Sequence, residues 1–132
     1  MLNFLKNIFS SESSPRKASF RQVDWLDVEG RWRSIEAQSK SDQQADAKQA
    51  LIQADMLVDS IMKQAYIPGN NFGERLKSLR SQVSPSVYRA LWAAHIKRNE
   101  LVHDVGSHVE KWEKDQYLGS FQNAISHFRG IR

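Results

Sequence analysis

Between Asp42 and Ala65 the chain carries one long stripe of apolar side chains at helical spacing, and that stripe limits the fold more than anything else in the sequence. Ala47, Ala50, Leu51, Ala54, Leu57, Val58, Ile61 and Met62 recur at three- and four-residue steps. Gln43, Gln44, Lys48, Gln49, Gln53 and Lys63 fill the opposite face. A helix this long and this apolar on one side needs other helices to cover it. Asp24 reads as the N-cap of a first partner reaching about Gln38, with Trp25, Val28, Trp32 and Ile35 in one stripe. Gly30 weakens that helix slightly and leaves room for another backbone. Ser39–Ser41 makes the turn between the two. Ile67-Pro68-Gly69-Asn70-Asn71 stops the long helix with residues that favour turns. A short helix from Gly73 to about Leu79 follows, with Phe72, Leu76 and Leu79 apolar. A last helix from about His108 to Arg129 buries Trp112, Leu118, Phe121, Ala124, Ile125 and Phe128, and Gly106 caps the helix before it. No segment alternates with the two-residue period of a strand. The expected class is all-α, a single antiparallel bundle of four to five helices over residues 24–132. At 132 residues there is material for one core and not for two.

The helix opened by Ser84 and Pro85 breaks the pattern. Val87, Leu91, Ala94 and Leu101 form its core stripe, with Tyr88, Trp92 and Val102 beside it. Arg98 falls on the first stripe, and His95 and Asn99 on the second; His103 comes one turn further on. A cation on a core face is costly unless a partner meets it. Asp55 and Asp59, an i,i+4 pair on the flank of the long helix, are the candidate partners for Arg98 and are more readily read as ion-pair or solvent-boundary carboxylates than as metal ligands.

Arg98-Asn99-Glu100-Leu101-Val102-His103, preceded by Ala90-Leu91-Trp92-Ala93-Ala94-His95-Ile96-Lys97, resembles the R-N-x-x-x-H signature of the HEPN superfamily. The resemblance covers the bundle in helical order, from about Asp24 to Phe128. It implies a small helical bundle that forms a homodimer, with two copies of the motif facing a shared cleft. It also implies metal-independent RNA cleavage of toxin or defence type, with an antitoxin protein as a partner. Arg98 would neutralise the scissile phosphate. His103 would act as base on the ribose 2′-hydroxyl or as acid on the leaving oxygen, and Asn99 would hold the phosphate or orient the histidine. Five residues turn an ideal helix by roughly 500°, so Arg98 and His103 point roughly 140° apart within one chain. Arginine forks onto phosphate and histidine exchanges protons near neutral pH, so the residue types suit the reaction.

Net charge is +4, from 19 basic and 15 acidic residues, which permits RNA without demanding it. No dense basic block exists, so phosphate contacts must be assembled in space. Lys97, Arg75, Lys77 and Arg80 are the candidates, alongside the amides that open the last helix next to His103. His95 and His103 lie roughly 12 Å apart along a helix, too far to share an ion. With 0 cysteines no thiolate zinc site exists either. No phosphate-binding loop or dinucleotide fingerprint occurs, and no cofactor is expected. The absence of cysteine fits a reducing compartment, hence a cytoplasmic protein.

Residues 1–9 form an amphipathic segment with Leu2, Leu5 and Phe9 on one side. Nine helical residues span about 13 Å, which is too short to cross a bilayer, so no transmembrane segment is expected. The segment docks on the bundle or a partner, or rests peripherally at a membrane. Residues 10–23, serine-rich and interrupted by Pro15, read as a linker. A second function therefore stays open: a non-catalytic helical module that binds a protein or nucleotide.

Overall fold

The computed structural model describes residues 19–131, and over them the chain is helical throughout, with no strand. The amphipathic segment at residues 1–9 lies outside the described residues. Five α-helices follow in order: α1 (Trp25–Ser39), α2 (Gln44–Gln64), α3 (Phe72–Ser78), α4 (Pro85–His103) and α5 (Lys111–Gly130). Single 3₁₀ turns at Phe20–Gln22 and Arg80–Gln82 precede α1 and α4. No described helix is long and apolar enough to cross a membrane.

The long apolar stripe becomes the centre of the bundle. α2 packs against α1, α4, α5 and α3, and Ala50, Leu51, Ala54, Leu57, Val58, Ile61 and Met62 are all buried. Phe121 and Phe128 of α5 and Leu91 of α4 close the core around it. Three of the helix starts are set by side chains. The Asp24 carboxylate accepts from the Asp27 N–H, the Ser84 hydroxyl from the Val87 N–H, and the Asn71 amide oxygen from the Glu74 N–H. α2 ends with Tyr66 in the left-handed region (φ 61°), where the Ile67 N–H reaches back to the Met62 carbonyl.

Packing begins earlier than the expected linker boundary. Phe20 is buried and stacks on Phe128 with ring centroids 4.9 Å apart, and the Ser19 N–H bonds to the Ala65 carbonyl. Val23 is buried too. The serine-rich composition hid two apolar anchors at its end.

The junction between α4 and α5 differs most from expectation. Gly106 is not a left-handed cap; Asp104 holds the C-cap position, and its carboxylate accepts from the Gly106 N–H. α5 starts three residues after His108, with a capping box between Glu110 and Glu113. The acidic side chains of that box occupy the helix start that the sequence offers to a phosphate. Trp112 stands exposed on the first turn of α5 rather than in the core. Gln44 holds the junction from α2, accepting from the Val109 N–H and donating to its carbonyl. Gly30 meets no neighbouring backbone.

Glu113 gives this junction a pH dependence. The Glu110 N–H first, and then the Lys97 ammonium, hold its carboxyl below the usual glutamate range. A depressed carboxyl contributes stability above its unfolded value, and that contribution is lost as pH falls through the folded value. Glu113→Gln should therefore melt below the wild type at neutral pH, and the two melting curves should converge in acid. Thermal denaturation across a pH series reads the difference.

A polar cavity between α2, α3 and α4

The Arg98 anomaly resolves into a chain of polar contacts, in which the Arg98 Nε faces the Asp55 charge without a hydrogen-bond partner. Asp55 of α2, only 3% exposed, faces His95 of α4, and its Oδ2 lies 2.7 Å from His95 Nδ1. Arg98 Nε approaches the other carboxylate oxygen at 3.5 Å, and its Nη1 donates to Asn99 Oδ1 at 2.9 Å. Asn99 Nδ2 in turn lies 3.4 Å from His95 Nε2. The His95 ring is held from both sides. Phe72, the first residue of α3, stacks on it at 4.0 Å, and Trp92 presents an edge at 6.1 Å. Gly73 makes this possible, because a Cβ there would come within 3.0 Å of the Trp92 ring.

A second ion-pair cluster sits beside the first. Arg75 of α3 forks onto Asp59 with bonds of 2.7 and 3.0 Å, and its Nη1 donates to the Gly69 carbonyl at 2.8 Å. Lys63 joins Asp59 at 3.5 Å. The loop from Pro68 to Asn71 is thereby tied to α2, and α3 is held over the exposed flank of the Asp55–Asp59 step.

Between these clusters opens a cavity of about 580 Å³, walled by Asp55, His95, Arg98 and Asn99 on one side and Asp59, Lys63 and Arg75 on the other. Asn70, Asn71, Phe72, Gly73 and Met56 complete its lining. Two arginines and a lysine meet two carboxylates here, an excess of one positive charge before His95 is counted. Such a site favours an anionic ligand with hydrogen-bonding edges. Among the described residues no three His, Cys, Asp or Glu side chains gather in a way that could hold a metal ion.

The expected site residues separate into three groups. Arg98, Asn99, His95, Asp55 and Asp59 come together at the cavity. His103, the last residue of α4, is exposed and does not line it. The basic residues proposed for phosphate contact lie elsewhere or are already engaged. Lys97 is buried on the other flank of α4 between Glu100 and Glu113, each 3.6 Å from its Nζ. Arg75 is committed to Asp59. Lys77 and Arg80 are exposed away from the cavity lining, with the Arg80 guanidinium 5.9 Å from the Tyr88 ring centroid. The His95–Asp55 bond, the Phe72 stack and Lys63 are the parts that sequence reasoning missed. Only the placement of Asp55 and His95 on flanking stripes hinted at the first. Compared with protein-family models, with curated proteins and with solved structures, the chain matches none.

Proposed function

We propose that the chain is a HEPN-like antiparallel bundle that cleaves RNA without a metal ion. Two copies would complete the site, each giving Arg98 to the phosphate and His103 to the proton transfers. The observation that carries this reading is Arg98, a guanidinium drawn from a core stripe to the wall of a cavity with a net positive charge, on the same helix as an exposed His103. Helical geometry keeps the two apart in one chain, which is why the reading needs a second copy. A free 2′-hydroxyl would attack the adjacent phosphate, leaving a 2′,3′-cyclic phosphate and a 5′-hydroxyl. An antitoxin partner would belong to the same toxin or defence setting.

Incubation of the purified chain with RNA in EDTA tests this. The wild type should cut RNA to cyclic-phosphate ends, and Arg98→Ala and His103→Ala should each slow cutting by about 100-fold or more. Mixing the two inactive variants should restore part of the activity, because a mixed dimer regains one intact site. Absence of cleavage by the wild type, or cleavage undiminished in both variants, overturns the proposal. The position of His103 outside the cavity favours the second reading, a non-catalytic nucleotide-binding module. Nucleotide binding without cleavage, lost in Arg98→Ala, is the outcome that selects it.

A further inference from the structure

The groups around His95 point to one polarity for its bonds. Arginine has donors only, so the Asn99 atom that meets Arg98 Nη1 at 2.9 Å must be the amide oxygen. The Asn99 amide nitrogen then faces His95 Nε2 at 3.4 Å, an arrangement that suits a bare lone pair there. A carboxylate only accepts, so the 2.7 Å contact to Asp55 places a ring proton on Nδ1. The result is a histidine with its proton held by a buried carboxylate on the far side and its lone pair turned toward Asn99, at the wall of the cavity. The bond on the lone-pair side is the long one of the two, so a ligand hydroxyl can displace it at small cost. Phe72 and Trp92 keep the ring from turning. The charged groups around it are Asp55 of α2 and Arg98 of its own helix, with Asp59, Lys63 and Arg75 across the cavity.

We propose that the Asp55–His95 pair is a proton-accepting dyad that acts on a hydroxyl lying next to a phosphate held by Arg98. The proposal rests on the RNA reading and assigns the roles within it: His95 is the base and His103 is the acid. The 2′-hydroxyl gives its proton to His95 Nε2 as the oxygen forms its bond to phosphorus. The bond from phosphorus to the 5′-oxygen breaks; that oxygen keeps the electron pair of the bond and takes a proton from the His103 imidazolium of the second copy. Exchange with water returns both rings to their starting states. Asp55 is a positioning residue here, because it sets which ring nitrogen carries the proton and stabilises the imidazolium that forms.

Two measurements on the full chain test the dyad. The first is a long-range ¹H–¹⁵N spectrum of the ¹⁵N-histidine-labelled protein, with the His95 signals identified by their loss in His95→Gln. The ring proton should reside on Nδ1, and Asp55→Asn should shift it toward Nε2. A wild-type ring protonated on Nε2 at rest overturns the proposal. The second compares RNA with uridine 3′-(4-nitrophenyl phosphate), whose leaving group needs no proton. His95→Gln should be slowed about 100-fold in kcat on both substrates, with KM nearly unchanged, whereas His103→Ala should recover rate on the nitrophenyl ester. Melting curves confirm that each variant is folded. A wild type that cleaves while His95→Gln keeps pace overturns the dyad alone. A wild type that cleaves neither substrate overturns the RNA reading and the dyad's part in it.

Discussion

Asp55→Ala is expected to lower stability by about 3–5 kcal/mol, the usual cost of removing one partner from a buried ion pair. On a domain of this size that is a fall in melting temperature of roughly 10–20 °C. The carboxylate is only 4% exposed at its side chain and is the acceptor for His95 and the counter-charge for Arg98. Without it the histidine loses its bond and the guanidinium keeps a charge in a half-buried place. Asp55→Leu combined with His95→Leu should recover only the part of the loss that comes from the orphaned histidine, since Arg98 still lacks its counter-charge and the Asn99 amide its partner. A double-mutant cycle by urea denaturation measures the coupling. A single Asp55→Ala variant as stable as the wild type would mean that the pair carries no structural weight.

Gly69→Ala should cost about 3 kcal/mol or more and lower the urea midpoint by roughly 1–2 M. Gly69 has φ of +148°, a backbone conformation that residues with a Cβ rarely adopt. A Cβ there would lie 2.6 Å from the Arg75 backbone nitrogen and 2.9 Å from the Glu74 carbonyl carbon, both parts of a packed helix that cannot swing aside. Relief of the clash has to move α3, which breaks the bond from Arg75 to the Gly69 carbonyl and loosens the grip on Asp59. Phe72 then leaves the face of His95, so the same change should also disturb the cavity. An unchanged urea midpoint would show that the loop has another conformation open to it.

Helix positions were legible in the sequence because their signals are local. Asp24, and Ser84 with Pro85, act within a turn of themselves, and the α2 stripe needs only its own periodicity. Residues placed by distant partners could not be read the same way. Lys97 and Lys114 sit in the structure as buried ammonium groups, one between two glutamates and the other on the Ser39 carbonyl. Nothing within a turn of either residue announces a partner on another helix. Long aliphatic stems let such side chains lie along a core and still deliver their charge to an acceptor. Trp112 is the reverse case, a large ring at helical spacing that the first turn of α5 leaves outside. The anomaly at Arg98 was legible as an anomaly, and Asp55 as a candidate partner for it. The dyad was not, because His95 and Asp55 are 40 residues apart and their bond depends on how α4 crosses α2.

The stacking of Phe20 on Phe128 brings the start of the described residues against the last full turn of α5. The two ends of the described residues therefore lie close together. A short peptide could join them, and new ends could be opened in the Ser41–Gln43 turn without cutting a helix. The cavity, built from α2, α3 and α4 alone, would pass through such a rearrangement with every one of its walls on continuous chain.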